Sequence, residues 1–536
     1  MTGLPQPSNH GWDNLPVEVI RLILGQLEGP SLLAVLQVNH LLHDLALEHF
    51  LGIRALQQLA TNSQLILNDG HFSHRPRAIC SALSLPTQLS LIAYSQTYHD
   101  LKDLLDDLHA LYLLLKRVDN NGFKTLRLHL SIDCSCHFRG RYQSLQQRFT
   151  RLVDLALEKG CETMVIEKDI LIPSASSHKR PLLSRIMKPL VGTSLVLASM
   201  LRIPMAMKKS VSTRLQSLTI ADVDLFAHPL LEYSRDMAKT LTNLSSLEIR
   251  GKAPSIIGWQ GEWVPFLAST LHLPSLTTFV LTGEDLILRP NILEGFLSRN
   301  SSIRELKLDV SFKYMSAADQ IPRFIGSAIL PHMELLSARP QLIAWLVQPH
   351  HRSPHNRKLY PSLRSVRILD PPRDRYPLVN NALIVDRAIL SLNNLQYQPS
   401  RTNAGHNSPV SAKGTSLTLC IDLGADFWID WLHRQVDVAF GNETSGGSRP
   451  ENAGITQLVV KATGRLDLNP APGDMMSILG KWLRTLPSLR EIEVVGEFFL
   501  HRYPVRQRLC QEIFGYCPKL ERLKYLDNLY FSRELR

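Results

Sequence analysis

The sequence is poor in cysteine, with 7 cysteines among 536 residues. Their number is odd and their spacing is irregular, unlike the Cys framework of a small disulfide-stabilised secreted domain. The first residues also lack the basic and then apolar profile of a signal peptide. The sequence therefore predicts free thiols in a reducing intracellular compartment, either the cytoplasm or the nucleus.

Long apolar runs are missing as well. The longest candidate, residues 189–207, is interrupted by Arg202 and Pro204. It keeps about thirteen uninterrupted residues, fewer than the roughly twenty that cross a bilayer. We expect a buried helix or a helix in an insertion there, and no membrane as a partner. Blocks of consecutive Lys or Arg are also absent, so the net charge of +11 alone gives little reason to expect nucleic acid as a partner.

Catalytic signatures are a third absence. No Gly-x-Ser-x-Gly elbow, phosphate-binding loop or Rossmann glycine string occurs where a strand would meet a helix. The sequence therefore predicts a protein that is not an enzyme and that needs no cofactor.

Two stretches carry residue types that bind metals. Cys134 and Cys136 lie near His129 and His137, but zinc sites usually combine Cys-x-x-Cys with a second distant pair, which is missing here. A second stretch is HHRSPH at 350–355. In a helix its histidines four residues apart would lie on one face, but its proline disfavours a helix. We expect thiols on a strand and its loop in the first case, a basic surface loop in the second, and no metal site.

Residues 14–27, NLPVEVIRLILGQL, contain much more apolar surface than a short helix normally carries. On a helical wheel only Glu18, Arg21 and Gly25 form a polar stripe. Ser31 predicts the start of a second apolar helix, and residues 40–51 predict a third. Three helices this short hold little core alone. The first helix therefore needs two burial partners, one in its own domain and one outside it.

The same residues resemble the F-box over residues 12–52. The resemblance rests on the pattern Leu15-Pro16-x-Glu18-Val19-Ile20-x-x-Ile23-Leu24-x-x-Leu27, followed by Ser31-Leu32-Leu33-Ala34-Val35-Leu36-x-Val38-Asn39. It implies a contact with the Skp adaptor of cullin–RING ubiquitin ligases. The sequence departs from the family at His40-Leu41-Leu42, where many members carry a basic residue and a Trp. The adaptor-binding residues that the resemblance implies are Leu15, Pro16, Val19, Ile20, Ile23, Leu27, Leu32, Leu36, Val38 and Leu42. The alternative is a generic three-helix cap that seals a repeat array.

Residues 53–120 are leucine-rich and carry an amphipathic helical pattern at 99–117, which predicts a helical linker. Beyond the linker, over residues 121–536, a string of the form Leu-x-x-Leu-x-Leu recurs, as in LPSLTTFVL at 273–281 and LPSLREIEVV at 486–495. Consecutive copies are about 27–34 residues apart, with helical patterns between them. Each copy predicts a short strand buried on one face, and the preceding Pro ends a helix.

This pattern resembles the irregular leucine-rich repeats that follow F-boxes, especially in fungal proteins. The predicted fold class is α/β, with a short three-helix N-terminal F-box followed by an irregular leucine-rich-repeat-like solenoid of helix-strand repeats. Polar insertions are expected near residues 169–212, 398–414 and 441–454. The competing fold is a doubly wound α/β enzyme.

In a leucine-rich horseshoe, the side chain between the last two apolar residues of each strand points to the concave face, and the next exposed position of the strand adds to that face. Lys and Arg outnumber Asp and Glu at these positions, so we hypothesise that the face binds an acidic or phosphorylated protein segment. The alternative is a solvated sheet of mixed charge, with the partner bound at the loops or the C-terminus. The predicted substrate-binding residues are Arg127, Arg250, Lys307, Arg367, Lys461 and Lys524.

Together, these observations predict the substrate-receptor subunit of a Skp–cullin–F-box ubiquitin ligase. Its expected partners are the Skp adaptor, through it a cullin–RING ligase, and a target protein. The alternative is a repeat scaffold or binding protein outside the ubiquitin system.

Overall fold

The chain combines helices with parallel β-strands. A computed structural model describes residues 15–67, 88–98, 100–119, 122–133, 142–171, 214–221, 241–251, 272–288, 290–312, 330–347, 360, 362–369, 385, 388–389, 392, 417–424, 455–463, 482–483, 486, 488–495, 511, 513–525 and 529–532. It divides into two compact units, Met1–Leu244 and Ser245–Arg536. Both units contain parallel strands, which confirms the mixed α/β class.

The first unit begins with four helices, α1 (Val17–Leu24), α2 (Gly29–Val35), α3 (His40–Leu51) and α4 (Ile53–Asn62). The helix α2 starts earlier than predicted, because Pro30 fits its first turn and Ser31 lies inside the helix instead of capping it. Asn39 caps α3, with its side-chain oxygen accepting a hydrogen bond from the Leu42 N–H at 2.8 Å. Gly52 ends α3 at a φ of 76°, a conformation that strains residues with a side chain.

The first three helices pack around a common apolar core, and we call residues 15–52 the N-terminal module. Its centre is filled by side chains from all three helices, and the Phe50 ring at the end of α3 is fully buried. The core residues are Ile20, Leu24, Leu32, Leu36, Leu42, Leu45, Ala46 and Phe50.

After the helices, the part of the first unit that the structure describes carries five parallel strands, β1 (Gln64–Leu67), β2 (Leu91–Tyr98), β3 (Thr125–Asp133), β4 (Thr163–Leu171) and β5 (Ser217–Ala221). Their order in the sheet follows their order in the chain. Two helices, α5 (Leu101–Arg117) and α6 (Tyr142–Glu158), belong to the same unit. The sheet starts earlier than the sequence predicted, because the segment interpreted as a helical linker contributes β1 and β2. Both strands alternate buried and half-buried side chains, a period of two that marks a strand.

In its described residues, the second unit carries nine parallel strands in chain order, followed by one antiparallel strand. The parallel strands are β6 (Ser246–Arg250), β7 (Thr278–Leu288), β8 (Glu305–Phe312), β9 (Leu335–Ala338), β10 (Ser365–Leu369), β11 (Leu417–Gly424), β12 (Ile455–Thr463), β13 (Glu491–Val495) and β14 (Arg522–Tyr525). The strand β15 (Leu529–Ser532) runs antiparallel to β14. The helices α7 (Pro290–Arg299) and α8 (Pro340–Val347) belong to the same unit.

One side of the second sheet is buried and apolar. Strand pairing brings equivalent positions into rows, so that Leu247 pairs with Phe279, Phe279 with Leu306, and Leu306 with Leu336. These four side chains are at most a few per cent exposed. The leucine-type residues that open each predicted strand are buried as well, and they are Leu244, Leu276, Ile303, Leu363, Ile455, Leu489 and Leu520. The Leu-x-x-Leu-x-Leu string is therefore a core-forming pattern.

A buried amide connects successive segments of this unit. Asn300, at the end of α7, is almost fully buried. Its side-chain oxygen accepts a hydrogen bond from the Leu273 N–H at 2.7 Å, and its Nδ2 donates to the Phe296 carbonyl at 2.8 Å. The side chain thus pairs with one backbone group in the segment before β7 and with one near the end of α7.

Several predicted features lie outside the described residues. These are the insertions at 398–414 and 441–454, most of 169–212, and the apolar run at 189–207. The strand β4 runs to Leu171 and so extends into the first predicted insertion. In the part of the chain that the structure describes, no helix combines the length and apolar character needed to cross a membrane.

Raising the pH should destabilise the first unit through one buried thiol. Burial raises the pKa of Cys161 from 9.0 to about 12, and its Sγ donates to the Thr163 carbonyl at 3.1 Å. At a pH between these two pKa values, the thiol is deprotonated in the unfolded chain and protonated in the folded chain. The contribution of this thiol to the free energy of unfolding should therefore be constant below pH 9 and fall above it, by up to about 1.4 kcal/mol per pH unit.

Urea unfolding between pH 8 and 10, followed by circular dichroism with a reductant present, measures this slope. The variant Cys161→Ser should lose that contribution to the slope, because a serine hydroxyl does not ionise in this range. An unchanged slope in the variant would show that Cys161 is not its source.

Candidate protein-interaction surfaces

The first candidate surface lies on the N-terminal module. On α1, Ile20 and Leu24 point into the module core, whereas Val19, Leu22 and Ile23 are exposed. At about 100° per residue, the exposed set continues the arc of the buried set without a polar break. Leu22 is 71% exposed, a large value for a leucine. The module therefore uses only part of the apolar surface of α1 for its own core.

Further apolar side chains are exposed on the other parts of the module. Val38, in the turn between α2 and α3, is 61% exposed, and Leu41 in the first turn of α3 is also exposed. Single exposed apolar residues are common, but this many on a segment this short indicate a contact surface. The exposed apolar side chains of the module, which we call the module surface, are Leu15, Val17, Val19, Leu22, Ile23, Val38 and Leu41.

The structure divides the predicted adaptor-binding residues into two groups. Five are exposed, namely Leu15, Pro16, Val19, Ile23 and Val38, and Leu27 is half-buried. The other four lie in the module core, where they support the surface and do not form it: Ile20, Leu32, Leu36 and Leu42. The sequence pattern did not separate these groups, because both are apolar and only the packing of α1 against α2 and α3 decides which side chains stay outside.

Polar contacts hold the helices of the module in place. Arg21 on α1 donates to both carboxylate oxygens of Glu48 on α3, at 3.2 and 3.0 Å. The ring Nδ1 of His43, buried in α3, lies 2.7 Å from the Leu36 carbonyl oxygen at the end of α2. Each contact joins two helices. The exposed arc of α1 is thus fixed relative to Val38 and Leu41.

The second candidate surface is formed by the strands of the second unit, on the side opposite the apolar core. We call this side the open face. The predicted substrate-binding positions lie in rows across it. In register, Lys307 on β8 pairs with Ser337 on β9, which pairs with Arg367 on β10. In the next row, two residues further along each strand, Arg250 pairs with Thr282, and Thr282 pairs with Asp309.

The cations of the open face are largely paired with acids. Arg250 contacts Glu248 at 2.8 Å, and Lys524 contacts Glu493 at 2.8 Å. Arg367 donates to Asp422 through both Nε and Nη2. These contacts make the face a lattice of mixed charge across most of its width.

The remaining predicted basic residues differ in their surroundings. Lys461 on β12 faces Asp422 on β11 in register. Lys307 has uncharged neighbours in register, Val280 and Ser337. Arg127 belongs to the first unit, where it is exposed on β3 between Ala93 and Val165. Five of the six predicted residues thus lie on strands of the second unit, and Arg127 lies on a strand of the first.

Sequence reasoning missed one buried cation beside this face. Arg339 follows β9 and is only 3% exposed, and its Nε donates to Asp309 at 2.8 Å. The available signal was the Arg-Pro junction at the start of α8, where a cation interrupts an apolar stretch. Because removing the Asp309 carboxylate would leave the buried Arg339 charge without this partner, we interpret this pair as part of the framework of the open face.

The first unit contains a buried polar network that was also missed. Asp107 on α5 is fully buried and accepts hydrogen bonds from the hydroxyls of Tyr94 at 2.8 Å and Tyr98 at 3.1 Å. Burial is the main cause that raises the pKa of Tyr98, helped by its two neighbours. The three side chains are closed off from solvent, so the network joins α5 to β2 and offers no reactive group to a partner.

The thiols that the structure describes are buried and protonated at neutral pH. Burial raises the pKa of Cys517 to about 11 and also raises the pKa of Cys420 on the open face. Such thiols are poor nucleophiles. Within the described residues, no group of three or more His, Cys, Asp or Glu side chains could hold a metal ion. Cys134, Cys136, His137, His351 and His355 lie outside those residues.

The chain matches no model of a known protein family and no curated protein. The two surfaces are therefore interpreted from their own geometry and chemistry.

Proposed function

We propose that the chain is the substrate-receptor subunit of a Skp–cullin–F-box ubiquitin ligase. In this proposal the N-terminal module is an F-box that binds the Skp adaptor, and the strand-rich remainder holds a target protein in the cytoplasm or nucleus. The observation that carries the proposal is the module surface, an apolar arc on α1 that the module leaves exposed. Covering such a surface with a partner removes apolar area from water and therefore favours association.

The contact is assigned to side chains that are accessible. Val19, Leu22 and Ile23 would form its centre, with Val38 and Leu41 at its border. Val19 and Ile23 are already more than half covered within the chain, so covering the rest of them contributes less than covering Leu22, which is largely exposed. The cost of association is subtracted from the sum of these contributions. Ile20, Leu32, Leu36 and Leu42 act by holding the helices in place.

We further propose that the parallel strands and their connecting segments are turns of an irregular leucine-rich-repeat-like solenoid. Three observations support this: each unit has its strands in chain order, neighbouring strands within each unit are parallel up to β14, and apolar residues that open the strands are buried. An array of this kind presents one sheet face to a partner. The proposal therefore gives the open face the task of holding the target.

The test is binding of the purified full chain to purified Skp adaptor, measured by calorimetry. The double variant Val19→Asp/Leu22→Asp should bind at least about 100-fold more weakly, because it places two carboxylates in an apolar contact. The matched control is Leu113→Asp, which changes an exposed leucine on α5 outside the module. The control should bind like the wild type.

Circular dichroism and limited proteolysis of both variants check that they remain folded. If the wild-type chain fails to bind the adaptor, the proposal is wrong, and a repeat scaffold outside the ubiquitin system becomes the better interpretation.

A further inference from the structure

On the open face, the neighbouring strands β8, β9 and β10 place two cationic side chains, two short serine side chains and one exposed leucine next to one another. The residues are Lys307 on β8, Leu335 and Ser337 on β9, and Ser365 and Arg367 on β10, and we call them the central patch. Lys307, Ser337 and Arg367 form one in-register row, and Leu335 and Ser365 are neighbours in the row before it. All five positions have the parity that points away from the apolar core.

The charge of Lys307 is not neutralised within the patch. Arg250, Arg339, Arg367 and Lys524 each have a carboxylate within ion-pair distance. Lys307 has no such partner among the residues that the structure describes. Arg367 uses Nε and Nη2 for Asp422, so its Nη1 keeps donors for another acceptor. Both cations flank Ser337, whose small side chain leaves room between them.

Leu335 supplies an apolar contact beside this charge. It is 43% exposed, and among the described residues of the second unit it is the one large apolar side chain that is exposed. Its in-register neighbour Ser365 is short and leaves one flank open. Leu335 and Ser337 are two residues apart on one strand, so their side chains lie about 6.6 Å apart along the sheet.

We propose that the central patch binds an extended segment of the target protein in which an apolar side chain and an Asp or Glu carboxylate are two residues apart. The apolar side chain covers Leu335, and the carboxylate lies over Ser337 between Lys307 and Arg367. Residues two apart in an extended chain point to the same side with the same repeat as the strand beneath them. The inference rests on the proposed role of the open face in holding the target, and it is independent of the adaptor contact.

The charge balance favours a carboxylate over a phosphate. Arg367 with Asp422, and Arg339 with Asp309, are already neutral pairs. Among the described residues, Lys307 is the cation of the patch that has no ion-pair partner. The Glu305 carboxylate, on the same face and in register with Leu335, would repel a phosphate dianion more strongly than a single carboxylate. One carboxylate matches the charge of Lys307, whereas a phosphate of nearly two negative charges exceeds it. The structure thus narrows the sequence-based hypothesis of an acidic or phosphorylated ligand to an acidic one.

The experiment uses the full-length chain and short synthetic Gly/Ser-rich peptides with one central tripeptide. The central Leu-Ser-Glu peptide is compared with Leu-Ser-Gln, Ala-Ser-Glu and Leu-Ser-phosphoserine by saturation-transfer NMR titration at up to about 1 mM peptide. The Leu-Ser-Glu peptide should bind best. Replacing Lys307 by Gln should weaken its binding about three- to fivefold, as expected for an exposed ion pair. The variant Leu335→Ser should weaken binding by a similar factor.

The matched control is Arg522→Gln, a cation of the same face that is already paired with Glu491 at 3.4 Å. It should leave peptide binding unchanged. The adaptor-binding variant Val19→Asp/Leu22→Asp should also bind the peptide normally, so that failure of the adaptor contact and failure of the patch are distinguishable. Three outcomes would overturn the inference: no detectable binding of any peptide, equal binding by Lys307→Gln, or tighter binding of the phosphoserine peptide.

Discussion

Replacing Phe50 with alanine should unfold the N-terminal module and thereby abolish adaptor binding. Phe50 is fully buried at the end of α3 and fills the centre of the module core with Ile20 and Leu24 from α1. Truncating a buried phenylalanine to alanine costs about 3–5 kcal/mol. A module of three short helices has little stability to lose, so a loss of this size exceeds what it can tolerate. Hydrogen exchange of the α1 and α3 amides should rise towards the rate of an unfolded chain.

The matched comparison is Leu22→Ala, which removes an equally apolar side chain from the surface of the same module. Because Leu22 is largely exposed, its truncation should change the free energy of unfolding by no more than about 0.5 kcal/mol. The two variants should therefore lose adaptor affinity for different reasons, with protection of the amides lost only in Phe50→Ala. Normal protection in Phe50→Ala would show that the module core does not depend on this ring.

Replacing Phe279 with alanine should produce a large loss of stability in the second unit. Phe279 on β7 is fully buried, and its ring centroid lies 4.6 Å from that of Phe296 on α7, with 44° between the ring planes. The substitution removes a buried side chain and an aromatic contact together. We expect a loss of about 3–5 kcal/mol, measured as the free energy of local opening from hydrogen exchange of β7 and β8.

The neighbouring residue on the same strand is the control. Val280 lies on the open face and is only half-buried, so Val280→Ala should cost well below the Phe279 value. Equal losses in both variants would mean that the two sides of the sheet contribute equally to stability, although Phe279 is fully buried and Val280 is only half-buried.

The sequence predicted those parts of the fold that depend on local periodicity. The third helix of the module, expected at 40–51, is α3 (His40–Leu51), and the amphipathic pattern at 99–117 is α5 (Leu101–Arg117). In both segments the signal is contained within a few turns. The strands β1 and β2 were missed because β1 is only 4 residues long and the surrounding leucines suggested a helix.

The charge pairing of the open face could not be predicted in the same way. Arg367 and Asp422 meet on adjacent strands although 55 residues separate them in the chain. Which acid faces which cation depends on the register, and a shift of one residue moves every side chain to the other side of the sheet. Counting Lys and Arg therefore indicated a basic surface, whereas the pairing leaves Lys307 as the cation with an uncompensated charge in the central patch.

The agreement between chain order and strand order has a consequence for synthesis of the protein. Within each unit, every parallel strand after the first pairs with the strand made just before it, so no strand waits for a partner from the far end of the chain. Each sheet can therefore grow at the ribosome as its strands emerge, one at a time. Lengthening a connecting segment then adds only a slowly rising entropy of loop closure to one pairing step. This architecture lets new sequence accumulate between strands while the order of assembly stays the same.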